Sequence, residues 1–99
     1  MIELALSESC LALVRALIHQ HAPTHRFFVS GSRVVGCAAD RRRLKPHSDL
    51  DLIVVGQPLP LEILFELRDT FSQSDLPMRM DIVQASDLPE GWEIRAWPL

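Results

Sequence analysis

The chain has 99 residues, 47% hydrophobic and 23% charged, with 10 Lys+Arg against 13 Asp+Glu and a formal net charge of -3. That length suits one ordinary domain over residues 1–99 with a single core and excludes a separate substrate-binding domain. The composition is that of a globular rather than a disordered chain, the net charge gives no general attraction for nucleic acid, and Cys10 and Cys37 lack both disulfide density and C-x-x-C spacing, so a reduced, cytoplasmic setting is expected.

The first residues carry no basic flank ahead of an apolar signal core, and the most apolar stretch, 10–18, is interrupted by Arg15; neither a secretory leader nor a membrane span is expected. Ser7 is placed to cap a helix running to about residue 20, with Leu11, Val14 and Ile18 at helical spacing and Leu17 widening the apolar stripe. Arg26-Phe27-Phe28-Val29 is short, aromatic and β-branched, which predicts a buried strand ending at Ser30-Gly31. Residues 32–39 are small and moderately helical, so a short helix beginning at Gly31-Ser32 is expected to aim its first N–H groups away from the strand end.

Residues 39–48 are polar, basic and interrupted by Pro46, which predicts an exposed loop carrying Arg41, Arg42, Arg43 and Lys45. Asp49-Leu50-Asp51-Leu52-Ile53-Val54-Val55 alternates acid with apolar residues before turning wholly apolar, the pattern of a central strand whose first end opens into a site. Pro58 and Pro60 open a second helix reaching about residue 74, in which Leu61, Leu64 and Phe65 are expected to face the core with Phe71 as a further contact. Residues 78–83 alternate and predict a third strand, followed by a turn over 87–91; the pattern assigns no place to Trp92, Ile94 and Trp97. The expected fold is α/β in the α+β sense, a small mixed sheet of about three to four strands flanked by helices.

Asp49 and Asp51 are two residues apart on a strand, so both carboxylates emerge on one face with Cα atoms roughly 6.5 Å apart. Magnesium takes few protein carboxylates and fills its octahedron with water and phosphate oxygens, so such a pair suffices for a triphosphate-dependent site. The pair alone is equally the mark of a solvated strand start. Upstream, Gly31-Ser32-Arg33-Val34-Val35-Gly36 lies after a strand, where Gly31 lets the backbone approach phosphate and Ser32 adds a hydroxyl. Gly31 and Gly36 have the opening spacing of a Walker loop, but Cys37-Ala38 replaces its Lys-Ser/Thr; the dinucleotide fingerprint fails too, because Arg33 stands where a glycine is required.

Gly31-Ser32 followed by Ser48-Asp49-Leu50-Asp51-Leu52 resembles the signature of the minimal nucleotidyltransferases, relatives of polymerase beta and the aminoglycoside nucleotidyltransferases, over roughly residues 10–85. The resemblance implies the nucleotidyltransferase fold, with Asp49 and Asp51 as magnesium ligands and Gly31 and Ser32 on the β- and γ-phosphates. Arg33 and Ser48 complete the nucleotide-binding set. Asp81, in Met80-Asp81-Ile82, matches the third carboxylate of the family, which implies a third catalytic and magnesium-binding acid that reaches a second ion or serves as the base for the acceptor hydroxyl. Val35 departs from the pattern, since many relatives carry a second basic residue there, and the linker from Gly36 to Asp49 is longer than usual.

The implied chemistry is attack by an acceptor hydroxyl on the α-phosphorus of a nucleoside triphosphate, with ATP as the family's common donor and one or two Mg2+ ions. No second domain is expected to hold the acceptor, and the apolar content is high for so small a body, so a protein partner or a homo-oligomer is expected. The resemblance implies a HEPN-type ribonuclease toxin as that partner, with this chain as an antitoxin transferring AMP to a toxin tyrosine. The alternative is an inactive nucleotidyltransferase-fold module that neutralises or scaffolds its partner. RNA binding rests only on the Arg41 to Lys45 run, for which a solvated loop is the simpler reading. His19, His21, His25 and His47 lack metal-ligand spacing and read as surface or turn residues; Cys37 reads as a small buried residue, and Trp92 and Trp97 as packing groups.

Overall fold

A computed structural model describes residues 3–35 and 49–99. The Ser48 and Arg41 to Lys45 assignments, with His47 and Cys37, lie outside the described residues. Strand β1 (Glu3–Leu4) leads into helix α1 (Glu8–His21), and β2 (Arg26–Ser30) ends in a single 3-10 turn, Gly31–Arg33, followed by β3 (Val34–Val35). Then come β4 (Leu50–Val55), α2 (Leu61–Gln73), β5 (Met80–Gln84), 3-10 turns at Ala85–Asp87 and Trp92–Arg95, and β6 (Trp97–Pro98).

The principal sheet has the order β5-β4-β2-β6, and β1 and β3 form a separate antiparallel pair. Strand β4 runs parallel to β5 and antiparallel to β2, and β2 is antiparallel to β6, so the sheet is mixed as expected. Strand β4 is central because its apolar residues leave nothing to solvate: Leu50, Leu52, Ile53 and Val54 are fully buried.

Strand pleating divides this sheet into two faces. Phe27, Val29, Leu50, Leu52, Val54 and Ile82 point into one core with Val14 and Ile18 of α1 and Leu67 and Phe71 of α2. The intervening residues Phe28, Ser30, Asp51, Ile53 and Asp81 therefore belong to the opposite face. Ile53 is fully buried there but stands outside the helix-side core, and Phe28 meets Trp92 edge-on with ring centroids 5.5 Å apart. The segment around Trp92 thus covers part of the second face, which gives one tail tryptophan the packing role expected of it.

Ser7 caps α1 as expected, accepting from the Cys10 N–H at 3.2 Å, and the Ala22 N–H closes the other end on the Ile18 carbonyl. His21, expected at the surface, is half-buried between the helices: its Nε2 shares a 3.1 Å hydrogen bond with Thr70, and its Nδ1 lies 3.8 Å from Glu66.

Two expectations fail. Over 31–35 the predicted helix is instead one 3-10 turn that gives way to β3, because Val34 pairs with β1 before a second helical turn can form, and residues 36–39 of that prediction lie outside the described residues. In α2, Leu61 and Phe65 are 62% and 57% exposed, and the buried stripe is Leu67 and Phe71 with Ile63 and Leu64 partly covered. Leu61 and Phe65 share a stripe about 200° around the helix from Ile63 and Leu67, so a helix starting at Leu61 turns them outward.

Candidate active site

Strand register brings the predicted acids together. Asp51 is the direct partner of Asp81 on the parallel neighbour β5 and of Ser30 on the antiparallel neighbour β2. Adjacent strands lie about 4.8 Å apart, so Ser30, Asp51 and Asp81 form a row across one end of the sheet on the face away from the helices. Asp49 stands two residues before Asp51, just ahead of the strand and close enough for its charge to act on Asp51, and the intervening Leu50 is fully buried and bonds through its N–H to the Arg79 carbonyl at 2.8 Å. That buried leucine anchors the strand start and leaves the flanking carboxylates facing outward. Asp49 and Asp81 are exposed, and Asp51 is half-buried.

Gly31 follows Ser30 and turns the chain over this row. Its φ of +80° is a left-handed conformation that favours glycine. A Cβ at this position would fall onto Asp51 Oδ2, with Asp51 Cγ only 3.1 Å away. The turn can sit on the carboxylate only because residue 31 has no side chain. Ser32 lies at the middle of the same 3-10 turn.

Arg33 closes the turn and is only 7% exposed. The Ala5 N–H donates to the Arg33 carbonyl at 2.6 Å, and Arg33 Nη1 donates to the Ala5 carbonyl at 3.1 Å. A guanidinium placed inside the fold thus braces the turn against the segment after β1. Val35, which occupies the position that is basic in many relatives, is buried in β3 opposite Glu3. Sequence reasoning missed this bracing and the place of Ser30. The signal available for Ser30 was its pleat parity with Phe28, one residue ahead of the glycine.

The carboxylates repel one another. Burial, then the negative charge of Asp81 and then that of Asp49, push the Asp51 carboxyl above its ordinary 3.8. Mutually repelling carboxylates of this kind stabilise a cation placed against them. Among the described residues no three His, Cys, Asp or Glu side chains converge into a ready metal cage. The two observations are compatible: the acids are near enough to repel but not gathered on one point. A hard cation such as Mg2+ takes few protein carboxylates and fills its remaining positions with water and substrate oxygens.

Among the described residues no helix is long and apolar enough to cross a membrane. No protein-family model matches the chain. Over 75 residues, 74% of its length, the chain is 39% identical to the probable protein adenylyltransferase MntA of Haemophilus influenzae. It spans 60% of that relative's length. The chain is therefore a partial homologue of a protein named as an adenylyltransferase, and its mixed α+β architecture is compatible with the nucleotidyltransferase fold.

Proposed function

We infer that this chain is a metal-dependent nucleotidyltransferase that moves AMP from ATP to a hydroxyl group. The observation that carries this reading is the left-handed glycine turn at Gly31, seated directly on Asp51, whose carboxylate is paired across the strands with Asp81. The adenylyltransferase name of the relative supports the same chemistry.

Asp49 and Asp51 are the residues that would hold Mg2+, with Asp81 beside them. When bound there, the ion supplies neutralisation of charge on the triphosphate oxygens and lowers the pKa of an oxygen it touches. The open backbone at Gly31 and Ser32 lets the β- and γ-phosphates approach the row, and Ser48 is assigned to the same nucleotide. Arg33 contributes from beneath by fixing the turn. Asp81, exposed at the edge of the row, takes the proton of the acceptor hydroxyl as its oxygen bonds to the α-phosphorus. The bond from the α-phosphorus to the bridging oxygen breaks in line, and pyrophosphate leaves.

The acceptor is read as a tyrosine of a HEPN-type toxin partner in the cytoplasm, which makes this chain an antitoxin. Exposed Leu61, Phe65 and Ile94 support a protein partner, since they leave apolar surface uncovered. The test is incubation of the purified chain with α-labelled ATP, Mg2+ and the protein encoded beside it. Label on the partner and release of pyrophosphate are expected, both lost in Asp49→Ala and Asp51→Ala. Neutralisation of the partner without label transfer, equally by wild type and Asp49→Ala, would overturn the reading in favour of an inactive binding module.

A further inference from the structure

Helix α2 carries a second apolar strip that the fold leaves uncovered. Leu67 and Phe71 enter the core on the helix side of the sheet, whereas Leu61 and Phe65, one turn apart, stand outside that core and are 62% and 57% exposed. Exposed Ser72 continues the strip two turns beyond Phe65, which gives it a length of about 17 Å from Leu61.

The two flanks of the strip differ in charge. At 100° per residue, Asp69, Glu62 and Glu66 lie about 40°, 60° and 100° around α2 from Phe65 on one side, and Arg68 lies about 60° away on the other. All four are exposed. Neither Glu62 nor Arg68 has an opposite charge three or four residues away, and neither forms an ion pair among the described residues. Glu66 lies 3.8 Å from His21 of α1, so the acidic flank is the one that borders α1.

This combination of shape and charge selects an occupant. A second copy would set three carboxylates and one arginine against an identical set, which is a net repulsion. Two apolar side chains also fall well short of the roughly 800 Å² per partner that a stable interface buries. A single helix with apolar residues one turn apart and Lys or Arg along one edge matches both the strip and its flank.

We propose that the outer strip of α2 docks a basic amphipathic helix of a partner protein. Leu61 and Phe65 take its apolar side chains, and Glu62, Glu66 and Asp69 take its cationic edge. The strip lies on the helix side of the sheet and the carboxylate row on the opposite face, so the docked helix is held away from Asp51 and Asp81, and an acceptor hydroxyl comes from another part of the partner. The inference rests on the reading of a protein partner and supplies that partner's chemistry.

The test is a 15N NMR titration of the full chain, without nucleotide or metal, with a synthetic peptide of about 18 residues that carries leucines one turn apart and a lysine edge. A second peptide keeps the leucines and replaces each lysine with glutamate. The lysine peptide is expected to shift the amides of Leu61, Phe65 and Asp69 and to leave those of Ser30, Gly31, Asp51 and Asp81 in place, while the glutamate peptide binds about tenfold more weakly. Phe65→Ser should weaken the lysine peptide about tenfold, and Phe65→Leu, which keeps an apolar contact, should retain most of the binding. Glu62→Gln with Asp69→Asn should erase the preference for lysine over glutamate. Dispersed spectra of each variant verify that it is folded. The proposal is overturned by equal affinity for the two peptides, by shifts at the carboxylate row in place of α2, or by undiminished binding in folded Phe65→Ser. Sedimentation of the free chain as a dimer that Phe65→Ser dissociates also overturns it, because a second copy would then cover the strip. Because the readout is peptide binding without metal or nucleotide, failure of adenylyl transfer leaves it intact, and its own failure leaves adenylyl transfer untouched.

Discussion

Gly31 packs against the carboxylate of Asp51 so closely that the two positions constrain each other: a side chain at 31 would occupy the place of Asp51 Oδ2. Gly31→Ala therefore combines a left-handed backbone strain with displacement of the carboxylate. A loss of about 1–3 kcal/mol in urea unfolding is expected. Loss of nucleotidyl transfer should accompany it, even at temperatures where the variant remains folded.

Asp51 should show a conflict between stability and function. Its carboxyl is raised above 3.8, so between that value and its folded value the native state holds more protons than the unfolded chain. Stability consequently rises as pH falls through this window and declines as pH rises through it. Asp51→Asn should flatten this dependence and stabilise the metal-free protein at neutral pH, while abolishing transfer. A destabilised Asn variant at pH 7 would contradict the electrostatic account.

The bracing role of Arg33 is separable from any contact with nucleotide. Arg33→Met removes the donor to the Ala5 carbonyl inside the fold. Thermal unfolding without ligand should register a loss of about 1–3 kcal/mol. A residue serving only the nucleotide would leave the ligand-free transition where it was.

The phase of α2 can be tested by a pair of substitutions. Leu67 is fully buried and Phe65 is 57% exposed. Leu67→Ala should reduce stability by about 2–5 kcal/mol, whereas Phe65→Ser should stay within about 0.5 kcal/mol of wild type. Partner binding, measured separately, is where Phe65→Ser should show its effect if this stripe is covered in a complex.

Ligand linkage provides a measure of the site that needs no acceptor. With Mg2+ present, ATP a hundredfold above its Kd should raise the apparent stability by about 2.7 kcal/mol. EDTA or Asp49→Ala should remove that rise. A shift that survives both would place nucleotide binding elsewhere on the chain.

Much was legible from the chain alone because it depends on neighbours in sequence. Ser7 caps a helix, and the apolar run after Asp51 makes a central strand. These are consequences of backbone period and side-chain chemistry, and they required no knowledge of the rest of the fold. The resemblance carried by Gly31-Ser32 and Asp49-Leu50-Asp51 likewise lies in local spacing.

What only the tertiary structure decided involves pairs distant in sequence. That Asp81 stands beside Asp51 follows from the parallel register of β4 and β5, and a slip of one residue would have sent it to the helix-covered face. The turn after β2 stays a single 3-10 turn because β1 captures the next residues, an interaction 28 positions away in the case of Arg33 and Ala5. The outward phase of Leu61 and Phe65 has the same origin. Local pattern specifies which residues are apolar, acidic or basic, but the packing of α1, α2 and the strands determines which of them meet.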